Sequence, residues 1–234
     1  MIVRKILSLI DGKYMTNEIE IKIEELRKNF LPYTRKAFKM LPKIDNPYIL
    51  DIGCGSGIPA IELAQLSNGK IIGIDIDQEA LDKFNEKIKK LNLSDRVEAL
   101  NCSLLDMHFP NESFNIIWAE GVMQFIGFER ALKEWDKVLK SNGFIVVHDD
   151  LSDKEKKLKM IARCGYKLIN CFQLPDDAWG KDYFLPLELQ IEKLIDIPKK
   201  FKNQKRYIKE INAYRKNPTS FRSIFFIIQK VNGI

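Results

Sequence analysis

The sequence predicts a doubly wound α/β domain, a seven-stranded and mostly parallel sheet with helices on both faces and an added helical lid. Three observations carry that expectation. Short β-branched or aromatic runs alternate with longer amphipathic runs from residue 48 onward. The connections between them are short, which favours strand–helix–strand crossovers and hence parallel pairing. Runs such as Ile71 to Ile74 are apolar almost throughout, as strands covered on both faces must be.

In chain order, Asn17 to Met40 reads as a helical region containing Pro32. Strands are expected at Tyr48 to Ile52, Lys70 to Ile76, Arg96 to Asn101, Phe114 to Ala119 and Phe144 to Val147. Helical periodicity fills Pro59 to Leu66, Gln78 to Leu91 and Phe128 to Leu139, with Leu81, Phe84, Ile88 and Leu91 forming one apolar face. Asp153 to Arg163 reads as helix and Tyr166 to Leu174 as extended. Leu187 to Asn217 reads as helix broken at Pro198, and Ser223 to Lys230 as the final strand. The expected organisation is an amino-terminal helical cap over 1–47, a core over 48–150, and a completing segment over 151–234 that carries the lid at about 175–218.

The 234 residues, 45% hydrophobic and 30% charged, suit one core with appendages and argue against disorder, collagen or a disulfide scaffold. No segment approaches the roughly 18 to 20 uninterrupted apolar residues of a membrane span. The opening MIVRKILSLI runs into Asp11 with no small-residue cleavage site, so no export signal is expected. Cys54, Cys102, Cys164 and Cys171 form no CxxC pair, and His108 and His148 are the two histidines of the chain. Neither a zinc site nor a disulfide framework is expected, and a reducing cytoplasmic setting follows as the default.

The net charge of +6 is unevenly placed. Residues 51–150 carry 10 Lys/Arg against 17 Asp/Glu, whereas residues 151–234 carry 18 against 9. The run at 199–216 is opposed by Glu210 alone. It reads either as the solvated face of a Lys-rich helix or as a surface for an anionic partner.

The most informative segment is ILDIGCGSGIPAIELA, residues 49–64. A buried strand ends in Asp51, a turn passes through Gly53, Gly55 and Gly57, and a helix begins near Pro59. Glycines there permit positive φ and a close ligand approach. Ile58 stands where a dinucleotide fingerprint would place its last glycine, and no Gly-Lys-Ser/Thr follows, which disfavours NAD and excludes a P-loop. The next strand ends in Asp75, where a carboxylate can take both hydroxyls of a ribose. Asp77 or Asp75 can also simply cap the helix from Gln78.

These residues in series resemble the class I S-adenosylmethionine-dependent methyltransferases, whose core is Rossmann-like. LDIGCGSG resembles the family's first motif, GIDID its second strand, FNIIWAEG its fourth, and ALKEWDKVLKSNGFIVVHD the helix, turn and fifth strand after it. The resemblance implies S-adenosylmethionine as cofactor, with S-adenosylhomocysteine as product and no metal. The backbone from Gly53 through Cys54 to Gly55 would pass beneath the methionine and sulfonium part, with Asp51 helping to hold the amino group. Asp75 would accept from the ribose and Ile76 pack on adenine. Ser103 stands where the family usually has an adenine-contacting Asp, so Ser103 or the backbone of Leu104 would take that role. Glu120 would sit where donor and acceptor meet.

FQLPDDAWGKDYFLPLE, EGVMQFIGFERALKEW and LPYTRKAF resemble a small-molecule subgroup of this family. In that comparison Tyr33 and Arg35 approach the cofactor, while Trp179 and Tyr183 wall the acceptor pocket or anchor packing. A general base is needed only if the acceptor must lose a proton, and Glu120 and Asp149, with His148 and Asp150 beside them, end the fourth and fifth strands where it would sit. The expected partner is a small-molecule acceptor, and the chain is expected as a monomer or homodimer away from membranes. An RNA methyltransferase using 199–216 and a non-catalytic cofactor-binding protein stay open as alternatives.

Overall fold

The structure, a computed structural model, describes residues 23–192 and 204–231. The chain divides into two compact units, Met1–Phe30 with Pro175–Arg222, and Leu31–Leu174 with Ser223–Ile234. Residues 31–47, grouped with the amino-terminal cap from sequence, thus fall with the sheet.

The sheet unit holds seven strands: β1 (Tyr48–Ile52), β2 (Lys70–Asp75), β3 (Val97–Asn101), β4 (Phe114–Glu120), β5 (Leu139–Asp150), β6 (Tyr166–Gln173) and β7 (Ser223–Lys230). Their order is β3-β2-β1-β4-β5-β7-β6, with β7 antiparallel to both its neighbours and every other pair parallel. This is the expected doubly wound α/β fold. β6 is the edge strand beside β7, and a register shift between Leu168 and Asn170 interrupts its pairing.

Two layers of helices cover the sheet. On one face, helices Phe128–Asp136 and Lys154–Arg163 bury Phe128, Leu132, Trp135 and Ile161 against Ile52, Ile74, Ala119, Val147 and Phe226. On the other lie helices Leu31–Lys39, Ile58–Leu66 and Gln78–Lys90. Pro32 stands in the first turn of Leu31–Lys39, where a missing N–H costs nothing, so it starts a helix rather than kinking one.

Several boundaries differ from the sequence expectation for local reasons. β2 stops at Asp75 because its carboxylate receives the Asp77 amide at 2.9 Å and turns the chain. Asp77 then caps the next helix by accepting from Glu79 and Ala80. A short helix, Met123–Ile126, lies unanticipated between β4 and Phe128–Asp136. Gly127, at φ +83°, separates the two helices.

The other unit, over its described residues, contains helical residues 23–28, a π-helical turn Gly180–Phe184, helices Leu185–Glu192 and Gln204–Lys216, and a 3₁₀ turn Pro218–Phe221. The break expected at Pro198 lies outside the described residues. Aromatic packing holds the unit together: Phe184 stacks on Tyr214 with centroids 4.5 Å apart and meets Phe221 edge-on at 4.9 Å.

Candidate functional site

Strand pairing decides which side chains share a face, because partners across a ladder point the same way and neighbours along a strand point oppositely. Asp51 pairs with Gly73 and with Trp118, and Asp75 and Glu120 lie two residues further along the same faces. Glu120 pairs with His148, His148 with Phe225, and Phe225 with Phe172. Asp75, Asp51, Glu120 and His148 therefore form a polar row across the carboxyl end of the sheet. Phe225 and Phe172 extend it as parallel rings, 4.4 Å from His148 to Phe225 and 5.1 Å between the two phenylalanines.

The glycine turn rises from this row. Gly53 and Cys54 both donate to the Ile74 carbonyl, at 2.8 and 3.0 Å, which stitches the turn to β2. Gly55 donates to Asp75 Oδ2 at 2.8 Å, so the carboxylate expected to meet a ribose also holds the turn in shape. Each carboxylate oxygen has a second lone pair, and both functions are compatible. Gly55 sits at φ +52° with nothing within 4 Å of where a Cβ would project, whereas a Cβ on Gly53 would strike Val122 at 2.1 Å. Gly55 is thus the position where the bare backbone faces open space.

Asp51 is 1% exposed, and its Oδ2 is buried without a hydrogen-bond partner among the described residues. Burial drives its pKa well above the usual carboxylate value, the Glu120 and Asp75 charges push the same way, and the Ala60 amide opposes them. Glu120 accepts on Oε1 from Thr34 Oγ1 at 2.9 Å and from Trp118 Nε1 at 2.8 Å. Burial raises its pKa too, against the lowering effect of the Trp118 and Thr34 bonds. Burial alone lowers His148 to about 4, leaving a neutral ring that shares a 2.9 Å hydrogen bond with Ser223 Oγ. The Cys54 thiol is pushed up by burial and by Asp51 and Asp75, which leaves it unreactive packing.

The other expected cofactor contacts fall into three groups. Ile76, 71% exposed just beyond β2, is free to cover a flat ring. Ser103 accepts the Leu105 amide on its hydroxyl at 3.2 Å, and Leu104 packs partly buried against the core. Arg35 is engaged elsewhere, its guanidinium forking onto Glu62 at 2.5 and 3.1 Å.

Asp149 does not join the row. It pairs with Ile224, points to the opposite face, and forms a 2.7 Å ion pair with Lys157 on helix Lys154–Arg163. Burial raises its pKa although the Lys157 bond and charge oppose this. Trp179 and Tyr183 pack within their own unit: Trp179 lies 4.6 Å from Phe30 and meets Tyr183 edge-on at 5.7 Å.

Thr34, Trp118 and Glu62 were not singled out from sequence. All three lie within motifs quoted there, LPYTRKAF, FNIIWAEG and ILDIGCGSGIPAIELA, but no local pattern marks them.

Residues 49–143 match the family model described as a methyltransferase domain. Among curated relatives, 27-O-demethylrifamycin SV methyltransferase of Amycolatopsis mediterranei (strain S699) is 29% identical over 119 residues, covering 50% of this chain and 44% of that protein. The chain spans less than half the length of the first curated relatives it matches. Among solved structures, the 4+2 cyclase SpnF superposes with a TM-score of 0.74 at 18% identity, covering 86% of this chain and 82% of that one. A putative sarcosine dimethylglycine methyltransferase from Galdieria sulphuraria gives 0.70 at 15% identity, covering 89% and 87%. At such identities these two structures speak for the fold.

Proposed function

We propose, from the premise that this chain belongs to the class I S-adenosylmethionine-dependent methyltransferase family, that it transfers a methyl group from S-adenosylmethionine to a small organic acceptor. The observation that carries the reading is the orphaned Oδ2 of Asp51 beside an open glycine turn. A buried carboxylate oxygen without a donor is costly unless a cationic or N–H-bearing group completes it, and the amino group of the methionine part is such a group. The residues present therefore fit the cofactor. Asp51 and the Gly53–Gly55 backbone would hold its methionine part, Asp75 its ribose, and Ile76 its adenine, with Ser103 and the Leu104 backbone beside it.

When bound, the cofactor supplies a methyl carbon already activated by positive sulfur. The chain's own task is to align the acceptor and exclude water, which lowers a barrier through positioning. Glu120 is the acceptor-side carboxylate of this proposal. Its raised pKa suits it to receive a proton if the acceptor must lose one. Asp149, held by Lys157, belongs to the scaffold in this reading. The small-acceptor assignment draws on the relative named for a demethylrifamycin.

Calorimetric titration with S-adenosylhomocysteine tests the reading, with NAD as control. Saturable binding that Asp75→Ala weakens at least tenfold is expected, and labelled donor then reports turnover on candidate acceptors. Absence of binding to folded, ligand-free protein would remove the cofactor assignment. The RNA alternative is secondary here: Arg206 and Arg215 of helix Gln204–Lys216 are paired with Glu210 and Glu188, while Lys205, Lys209 and Lys216 on it are exposed. Residues 199–203 of that run lie outside the described residues. Salt-sensitive RNA binding would restore it.

A further inference from the structure

Four successive side chains of helix Leu31–Lys39 engage the sheet unit. Thr34 bonds Glu120 at 2.9 Å, Arg35 forks onto Glu62, Lys36 Nζ stands 4.2 Å over the Phe172 ring, and Ala37 is fully buried. Among these, Thr34 reaches a residue of the proposed site. It is 1% exposed, and its hydroxyl crosses to another element, whereas a helical threonine commonly bonds a carbonyl of its own preceding turn.

The consequence lies in how the carboxylate of Glu120 is divided. Oε1 takes two donors, Thr34 Oγ1 and Trp118 Nε1, and so has both lone-pair directions filled. Oε2 receives no hydrogen bond from the described residues. The two donors come from different elements, so together they fix the plane of the group as well as its position. Phe38 packs against the Trp118 ring with centroids 6.4 Å apart, which ties the second donor to the same helix.

We infer that Thr34 is a positioning residue: with Trp118 it fixes Oε1 of Glu120, so that Oε2 is the oxygen presented to an N–H or O–H of the ligand entering the site. The identity of that ligand rests on the methyltransferase reading; the division of the carboxylate does not. Charged and titratable groups around Glu120 are Asp51 on β1, Asp75 on β2, neutral His148 opposite it on β5, and Arg35 on the helix, whose charge is taken by Glu62. Removing the Thr34 hydroxyl takes away one of two donors that favour the ionised carboxylate, so Glu120 must titrate at higher pH.

The indole of Trp118 gives a direct readout, because its N–H donates to the oxygen in question. The full chain, labelled with nitrogen-15 tryptophan, shows three indole signals, from Trp118, Trp135 and Trp179, and Trp118→Phe assigns the first. Its shift should titrate with Glu120 and become flat in Glu120→Gln. Thr34→Val should raise the midpoint by about one pH unit, and Thr34→Ser should return it to within about 0.3 of the starting value. The buried Trp135 signal reports the fold, and Thr34→Ala replaces Thr34→Val if that signal is lost.

An unchanged midpoint in a folded Thr34→Val or Thr34→Ala chain, or no recovery with serine, overturns the inference. In parallel, S-adenosylhomocysteine affinity should fall several-fold in Thr34→Val and recover in Thr34→Ser, since a hydroxyl bond to a charged group is worth more than a neutral one. Absence of binding to every variant, with the indole titration still displaced, would sink the cofactor reading and leave the positioning role standing.

Discussion

The two faces of the sheet carry buried carboxylates at the same height, and they treat them oppositely. On the face of helix Lys154–Arg163, Asp149 has a buried lysine at 2.7 Å, and that lysine also bonds the Asp150 carbonyl at 2.7 Å. On the face of helix Leu31–Lys39, among the described residues, Asp51 has an oxygen with no hydrogen-bond partner, and Glu120 has two neutral donors on one oxygen and no hydrogen bond on the other. Compensation marks the first face as scaffold. Its absence on the second is the observation on which the proposed cofactor site rests.

The largest expected effect tests the compensated face. Lys157→Met strands Asp149 without its cation and should cost about 3 to 5 kcal/mol in urea unfolding. Adding Asp149→Leu should recover most of that loss. A single variant within about 1 kcal/mol of the parent would mean that the pair is not structural and would readmit Asp149 to the site.

The next tests whether the open face tolerates charge. Burial lowers His148 to about 4 when folded, against 6.5 for an unperturbed histidine, so unfolding takes up a proton between these values. Its contribution is fully present above pH 6.5 and is lost as pH falls toward 4, about 3 kcal/mol in all. His148→Gln, which keeps a polar partner for Ser223, should flatten that acid limb in pH-dependent melting.

Asp51 has the opposite sign. Its folded pKa is raised, so above the unfolded value of 3.8 the native state holds its proton more tightly, and stability falls as pH rises. Asp51→Asn should therefore stabilise the ligand-free chain by about 1 to 2 kcal/mol at neutral pH while weakening S-adenosylhomocysteine binding. A loss of stability instead would show that an interaction of the charged form outweighs its burial. The smallest effect concerns the aromatic end of the row: Lys36→Met removes the cation over Phe172 and should cost about 0.5 kcal/mol by thermal unfolding, without altering cofactor affinity.

The doubly wound sheet was legible because its signals are local: Asp51 before three glycines, Asp75 at the end of an apolar strand, Asp77 before Gln78. What pairs across the fold was not. Asp149 and Glu120 look alike as acids ending consecutive strands, and only the register, His148 with Glu120 but Asp149 with Ile224, separates their faces. Arg35 carries no sign in the sequence that Glu62, 27 positions away, holds its guanidinium. Thr34 acquires meaning only through Glu120, 86 positions on.

The strand order has a consequence for synthesis. β7 is the last of the sheet's seven strands to be made, yet it lies between β5 and β6, and Leu174 and Ser223 are joined by a 3.0 Å hydrogen bond where the chain leaves and re-enters the sheet. A nascent chain that has completed β6 still lacks the ribbon that β6 pairs with, and β5 still shows an open edge. During that interval the ribosome carries two unsatisfied edges of an apolar sheet, a state prone to pairing with neighbours. The residues between β6 and β7 thus set how long that vulnerable interval lasts, as well as whatever they contribute once folded.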